Sequence, residues 1–289
     1  MKETTAPASY TITERSICRG VGECLPTLGR SESPTDSPDG AKLKAVLRNL
    51  LPRRIKRHRI LAGPLRGRAM VTSWYHNFTS LTGRTEPDLI AWFQRNAEPG
   101  ETWLDIGANY GYTAMVLADR VGPTGRVFAF EPKFETCGCL SETVHANRLE
   151  QITVVPFALG ATETIEQRRF GVSGSMVVQA MAAPGATETI MVANLDWLWP
   201  RISSNSRKIN GVKIDVQGME LEVLGGMVGL LATHTPKLVI ELHAGVDRSA
   251  LFDVLEYCGY ERKCVPVFPA HGADESGSRD NMSYAFRKR

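Results

Sequence analysis

Residues 101–115 read ETWLDIGANYGYTAM, and this stretch sets the frame for the whole chain. Trp103, Leu104 and Ile106 form a short apolar run with Asp105 near its end, the pattern of a buried strand. Gly107 and Gly111 bracket a tight turn, and the amphipathic run from about Tyr110 predicts a helix. Strand, glycine turn and helix in this order build the opening unit of an open parallel sheet, which takes its ligand above the carboxyl ends of the strands.

The same rhythm runs outward in both directions. Upstream, Glu86 to Asn96 predicts a helix with Pro87 in its first turn and Leu89, Ile90 and Phe93 on one face, closed by Pro99-Gly100. Downstream, GRVFAFEP (125–132), a helix to about Asn147 and QITVVPFA (151–158) alternate. After an interruption come GVKIDV (211–216), a helix from Met219 to about Leu231, PKLVIELH (236–243) and a helix from about Ser249 to Cys258. Such alternation predicts an α/β fold, a parallel sheet with helices on both faces. The last runs, YERKCVPVF (260–268) and MSYAFRKR (282–289), predict a closing hairpin.

The interruption covers about 160–195. GATETI occurs at 160–165 and again at 185–190, with the extended-looking SGSMVVQA (173–180) between them. Nothing else recurs, so the segment predicts two or three antiparallel edge strands in an insertion and not a repeat architecture.

Charge divides the chain further. Residues 1–40 include SESPTDSPDG and show no sustained apolar period, so a mobile tail is expected. Residues 41–85 hold 11 Lys/Arg and no Asp or Glu. Within them Leu43, Val46, Leu47 and Leu50 recur at helical spacing until Pro52, which predicts a short basic amphipathic helix. Residues 41–98 are thus expected to be a basic helical extension or cover, and 99–289 the ligand-binding domain. That domain is mildly acidic, with 19 basic and 25 acidic residues after position 85. A basic module on an acidic body argues against a nucleic-acid enzyme whose whole active face is positive. The six cysteines form no C-x-x-C pair, and no second Cys/His pair at zinc spacing accompanies Cys137 and Cys139. Neither a secretory signal nor a long apolar span is read, so a cytoplasmic protein is expected.

The turn constrains the ligand. A dinucleotide site would read G-x-G-x-x-G, but here the spacing is G-x-x-x-G with Asn109 in place of the second glycine. S-adenosylmethionine has no phosphate and presents a ribose diol, an adenine, an amino group and a carboxylate beside a sulfonium. Asp105 suits the amino group, directly or through water, and the N–H groups of the turn suit the carboxylate. Glu131 ends the next strand, 24 residues beyond Gly107, where a carboxylate can accept both ribose hydroxyls.

D-I-G-A-N-x-G-x-T at 105–113, F-E-P at 130–132, A-L-G at 158–160 and K-I-D-V-Q-G-M-E-L-E-V-L at 213–224 together resemble the FkbM-type methyltransferases. The resemblance runs from near Gly63-Pro64-Leu65-Arg66-Gly67, through Glu86-Pro87, to about His243. It implies a Rossmann-like sheet of seven strands, ordered 3-2-1-4-5-7-6 with the seventh antiparallel. It also implies methyl transfer from S-adenosylmethionine, usually to oxygen, although some similar enzymes methylate amide nitrogen. The donor positions it implies are Glu86, Asp105, Gly107, Ala108, Asn109, Gly111, Glu131, Pro132 and Ala158. Two residues depart from the pattern: Gln217 stands where the family usually has Glu, and Met219 where it often has His. Neither can titrate, so an acid-base role at those positions does not transfer.

For the chemistry itself, Asp215 ends one strand, while Glu241 and His243 end the next, two residues apart and so on one face. His243 has the most suitable ordinary pKa for a base, with Asp215 and Glu241 as its rivals. Asp215 and Glu241 also make a two-carboxylate match to a cation site, too weak by itself for a metal to be expected. Lys213 reads as a long side chain snorkelling from the sheet edge. Trp74, Tyr75, Phe78, Trp197 and Trp199 read as core or rim aromatics, with His76 among them as an acceptor contact. The expected acceptor is a hydroxyl on a small molecule or glycan, with a peptide amide as the alternative. A donor-binding module without catalysis is the competing class. The oligomeric state is not legible.

Overall fold

The β-strand over Thr102–Ile106 is buried along its whole length and lies inside a seven-stranded sheet, with two strands on one side of it and four on the other. The computed structural model describes residues 49–173, 176–178, 187–203, 207–267 and 280–289. The tail read over 1–40 and nearly all of the basic helix read over 41–52 lie outside the described residues.

In chain order the first described elements are β1 (Lys56–Arg59), β2 (Ala69–Thr72), α1 (Trp74–Leu81), α2 (Pro87–Asn96), β3 (Thr102–Ile106), α3 (Tyr112–Val121), β4 (Arg126–Phe130), α4 (Phe134–Ala146) and β5 (Ile152–Val155). The insertion supplies β6 (Ala158–Leu159), β7 (Ile165–Ser173), β8 (Met176–Val178) and β9 (Thr187–Ala193). There follow α5 (Leu195–Ile202), β10 (Gly211–Ile214), α6 (Glu220–Gly225), α7 (Val228–His234), β11 (Lys237–Leu242), α8 (Arg248–Tyr257), β12 (Tyr260–Pro266) and β13 (Met282–Lys288).

The large sheet runs β12-β13-β11-β10-β3-β4-β5. Numbered in chain order from β3, its strands stand 3-2-1-4-5-7-6, and β13 is antiparallel to both neighbours. Strand alternation sorts the core into two faces. Trp103, Val127, Ala129 and Val239 pack on one side with Phe93 and Met115, while Leu104, Ile106, Phe128, Val212, Ile214 and Ile240 pack on the other with Trp199 and Leu224.

Three local readings change. The extension is not helical throughout, because Lys56–Arg59 and Ala69–Thr72 pair as an antiparallel ribbon before α1 and α2 follow. The insertion strands do not join the edge of the large sheet. They form their own sheet, β6-β9-β7-β8, over a small core of Phe170, Ile190 and Val192. The helix read from Met219 to about Leu231 is two helices, α6 and α7, parted at Gly226 and Met227. The break is where the Gly226 carbonyl accepts from Leu195 N and Asp196 N. A Cβ at Gly226 would lie 2.2 Å from Gly160 O, so the insertion's first loop packs backbone against backbone there. No helix among the described residues is long and apolar enough to cross a membrane.

Candidate active site

The β3 strand ends in Ile106, and the chain then turns sharply over β10. Gly107 has φ 81°, and a Cβ there would lie 1.9 Å from Asp215 O, so only glycine permits this approach. Asn109 also takes a left-handed backbone, with φ 50°. Every N–H of the turn is already committed. Gly107 N and Ala108 N donate to Phe130 O, Asn109 N donates to Glu131 Oε2, Tyr110 N to Asn109 Oδ1, and Gly111 N to Ala108 O. The turn therefore does not offer its N–H groups to a carboxylate, contrary to the sequence reading.

Glu131 is buried, and its two oxygens accept from Asn109 N at 2.9 Å and Lys133 N at 3.0 Å. Each oxygen keeps a second lone pair. Burial, only partly offset by those hydrogen bonds, pushes its pKa up to about 7.

A cavity of about 330 Å³ opens at the carboxyl ends of β3, β4 and β10. Glu86, Gly107, Ala108, Asn109, Glu131, Pro132 and Ala158 all line it. Of the donor positions read from the sequence, Asp105 and Gly111 do not. Asp105 is fully enclosed, with Oδ2 accepting from Thr113 Oγ1 at 2.6 Å and Oδ1 facing Lys213 Nζ at 3.1 Å. It anchors the turn from behind and makes no cavity wall.

Lys213 is the residue that sequence reasoning missed. It lies on the central strand β10 and does not snorkel; its side chain is 4% exposed. It donates to Gly107 O at 2.9 Å and stands between Asp105 and Asp215, the latter at 3.6 Å. Burial opposes its charge, but Asp105, Asp215 and Glu86 outweigh burial and raise its pKa. Its signal was the KID triplet, whose Lys213 and Ile214 pair in register with Asp105 and Ile106 of β3.

The catalytic candidates divide. Asp215 lines the cavity, whereas His243 and Glu241 are not in its lining. His243 Nδ1 lies 2.7 Å from Glu220 Oε1, and Glu220 is completely buried. His243 Nε2 lies 3.0 Å from Gln217 Nε2, which also donates to Asp215 Oδ1 at 3.2 Å. This pattern fits a ring with its proton on Nδ1; a doubly protonated ring would require Gln217 to turn its carbonyl oxygen inward. Burial opposes protonation of His243, yet the Glu220 hydrogen bond and the carboxylates of Asp215, Glu220 and Glu241 bring its pKa above the ordinary value. Glu241 is pushed up to about 7, first by burial and then by Asp215 and Glu86. Glu86, the left-handed residue that begins α2, goes the same way, to about 7, through burial and Asp215.

The remaining readings resolve simply. His76 and Asn77 of α1 line the cavity, while Trp199 is a core residue set edge-on against Phe128. Met219 packs on the small core of the insertion, an apolar contact that suits methionine.

Residues 105–262 match the methyltransferase FkbM domain, a span of more than half the chain. The chain belongs to the FkbM methyltransferase family. The family's methyl donor is S-adenosylmethionine. Among relatives, the chain is 30% identical over 177 residues to the hexuronic acid methyltransferase AglP of Haloferax volcanii. That match covers 57% of this chain and 65% of the relative, just under two thirds of its length. Among solved structures, the methyltransferase FkbM of Methylobacillus flagellatus is 18% identical with a TM-score of 0.43, covering 73% of this chain and 54% of that one. Fibrillarin of Aeropyrum pernix, solved with bound S-adenosylmethionine, is 14% identical with a TM-score of 0.40, covering 66% and 68%. Neither structure is close enough to bear on the substrate.

Proposed function

We propose that this FkbM-family protein is an S-adenosylmethionine-dependent O-methyltransferase whose acceptor is a hydroxyl on a sugar or another small hydroxylated molecule. The observation that carries the reading is the lining of the cavity. Glu131 stands in it fixed by two backbone N–H groups, and Asp215, which follows β10, lines it as well.

The residues fit the donor. Glu131 has lone pairs for a ribose diol, and Phe130, Pro132, Phe157 and Ala158 offer an apolar wall for an adenine. When bound, S-adenosylmethionine supplies an electrophilic methyl group on a sulfonium, and the carbon–sulfur bonding pair stays with sulfur as a thioether. The acceptor oxygen gains that methyl group and gives up its proton. Of the candidates Asp215, Glu241 and His243, Asp215 is the one in the cavity lining, so it takes the proton, while Gln217 donates to it and links it to His243. The rest of the rate comes from alignment of donor and acceptor in one enclosed place.

The name of the Haloferax volcanii relative makes acidic sugars the first acceptors to try. The test is release of S-adenosylhomocysteine by the full chain in the presence of hexuronates and hexuronate-containing oligosaccharides. Acceptor-dependent release supports the reading. Donor binding with no release for any hydroxylated acceptor favours a binding module instead.

A further inference from the structure

The mouth of β10 and β11 gathers more acid than the described cations there neutralise. Lys213 is shared between Asp105 at 3.1 Å and Asp215 at 3.6 Å, which leaves Asp215, Glu241 and Glu86 with part of one lysine and one histidine. An acidic acceptor, as proposed above, would be repelled by such a wall.

We infer that Asp215 Oδ1, Glu241 and His243 form a divalent-cation site that anchors the acceptor's oxygens at the cavity wall and leaves Asp215 Oδ2 for the acceptor's proton. The inference rests on the methyltransferase reading for its acceptor, but on local geometry for the site. One ligand atom from each residue lies within 4.8 Å of the others. His243 Nε2 is 3.4 Å from Glu241 Oε1 and 3.7 Å from Asp215 Oδ1. Ligands held at about 2.1 Å from one ion stand roughly 3–3.5 Å apart, so closing the set needs small side-chain rotations.

A second observation lies outside the three ligands. Metal-binding histidines nearly always give their other ring N–H to a carboxylate or carbonyl, which fixes the tautomer and aims the free lone pair. Glu220 does this to His243 from a completely buried position. Its other oxygen has no hydrogen-bond partner among the described residues, so the carboxylate is retained at a cost in desolvation. A third lies in Gln217, whose amide sits 3.0 Å from His243 Nε2 and 3.2 Å from Asp215 Oδ1. Rotation of that amide would present its carbonyl oxygen as a fourth ligand. One imidazole nitrogen with carboxylate and amide oxygens suits a first-row divalent ion such as Mn²⁺. Because Asp215 and Gln217 line the cavity, the ion's open positions would face the acceptor.

The test is titration of the full chain with Mn²⁺, followed by the loss of the free-ion electron paramagnetic resonance signal. One saturable site per chain is expected, displaced by Mg²⁺ and weakened at least about tenfold by Asp215→Asn, Glu241→Gln or His243→Ala. Glu220→Gln, which does not touch the ion, should weaken it by about tenfold. No saturable binding, or binding unchanged in all four variants, overturns the site. S-adenosylmethionine affinity measured in each variant reports its fold; if His243→Ala does not fold, Asp215→Asn and Glu241→Gln decide. A blank Mn²⁺ titration with chelator-resistant methyl transfer overturns the cation site and leaves the methyltransferase reading intact. A saturable Mn²⁺ site in a chain that binds no S-adenosylmethionine supports the site and overturns that reading.

Discussion

Lys213 Nζ stands 3.1 Å from Asp105 Oδ1, with the two side chains 4% and 0% exposed. The two residues are register partners on the adjacent parallel strands β10 and β3, so the pair is built into the centre of the sheet. Removing one partner from such a pair leaves an uncompensated buried charge. Lys213→Met is therefore expected to lower stability by about 3–5 kcal/mol, read from urea unfolding. A loss below about 1 kcal/mol would show that water or another cation reaches Asp105.

Glu131 and Asp105 should separate in binding experiments, although the sequence reading treats them alike. Glu131→Ala removes a carboxylate from the cavity wall, and calorimetry should show donor affinity weakened by about 1–3 kcal/mol. Asp105 touches Thr113 and Lys213, not the cavity, so Asp105→Asn should appear first as lost stability. Wild-type donor affinity in a folded Glu131→Ala variant would remove that residue from the donor site.

Burial raises the Glu131 pKa from 4.5 to about 7 in the folded chain. A group raised in this way contributes stability below its unfolded pKa, and the contribution is lost as pH rises through the folded value. Between those limits each pH unit costs up to about 1.4 kcal/mol. The donor-free protein should melt at lower temperature as pH rises from about 5 to 8, and Glu131→Gln should flatten part of that slope. A diol donating to the ionised carboxylate favours the deprotonated form, so wild-type donor affinity should strengthen across the same window. Affinity that falls with pH would contradict this role.

Gly107→Ala places a methyl group 1.9 Å from Asp215 O on a backbone with φ 81°. Strain and overpacking together should cost about 2–5 kcal/mol, and the displaced turn should weaken donor binding as well. A thermal melt and a donor titration check both; a neutral variant would mean that the turn can move away from β10.

The parts of this molecule legible in its sequence are those written locally. The turn at Gly107, the strand end at Glu131 and the closing hairpin each depend on a few consecutive residues. What escaped depends on distant partners. Lys213 reads as a surface lysine until β10 lies beside β3, and the spent N–H groups of the turn become visible only when Phe130 O and Glu131 reach across from β4. The break at Gly226 answers a backbone contact from Gly160, 66 residues earlier. His243 has a base's chemistry, but Gln217 and Glu220 hold both its ring nitrogens and keep it off the cavity wall.

The central claim is transfer of a methyl group to an acceptor oxygen at the Asp215 wall. It is tested most directly by incubating the full chain with methyl-labelled S-adenosylmethionine and a hexuronate acceptor, then locating the label by mass spectrometry and nuclear magnetic resonance. The account predicts one labelled methyl on a sugar oxygen for each S-adenosylhomocysteine released, and loss of both in a folded Asp215→Asn variant. Label on an amide nitrogen of a peptide offered alongside, with none on any sugar oxygen, would contradict it.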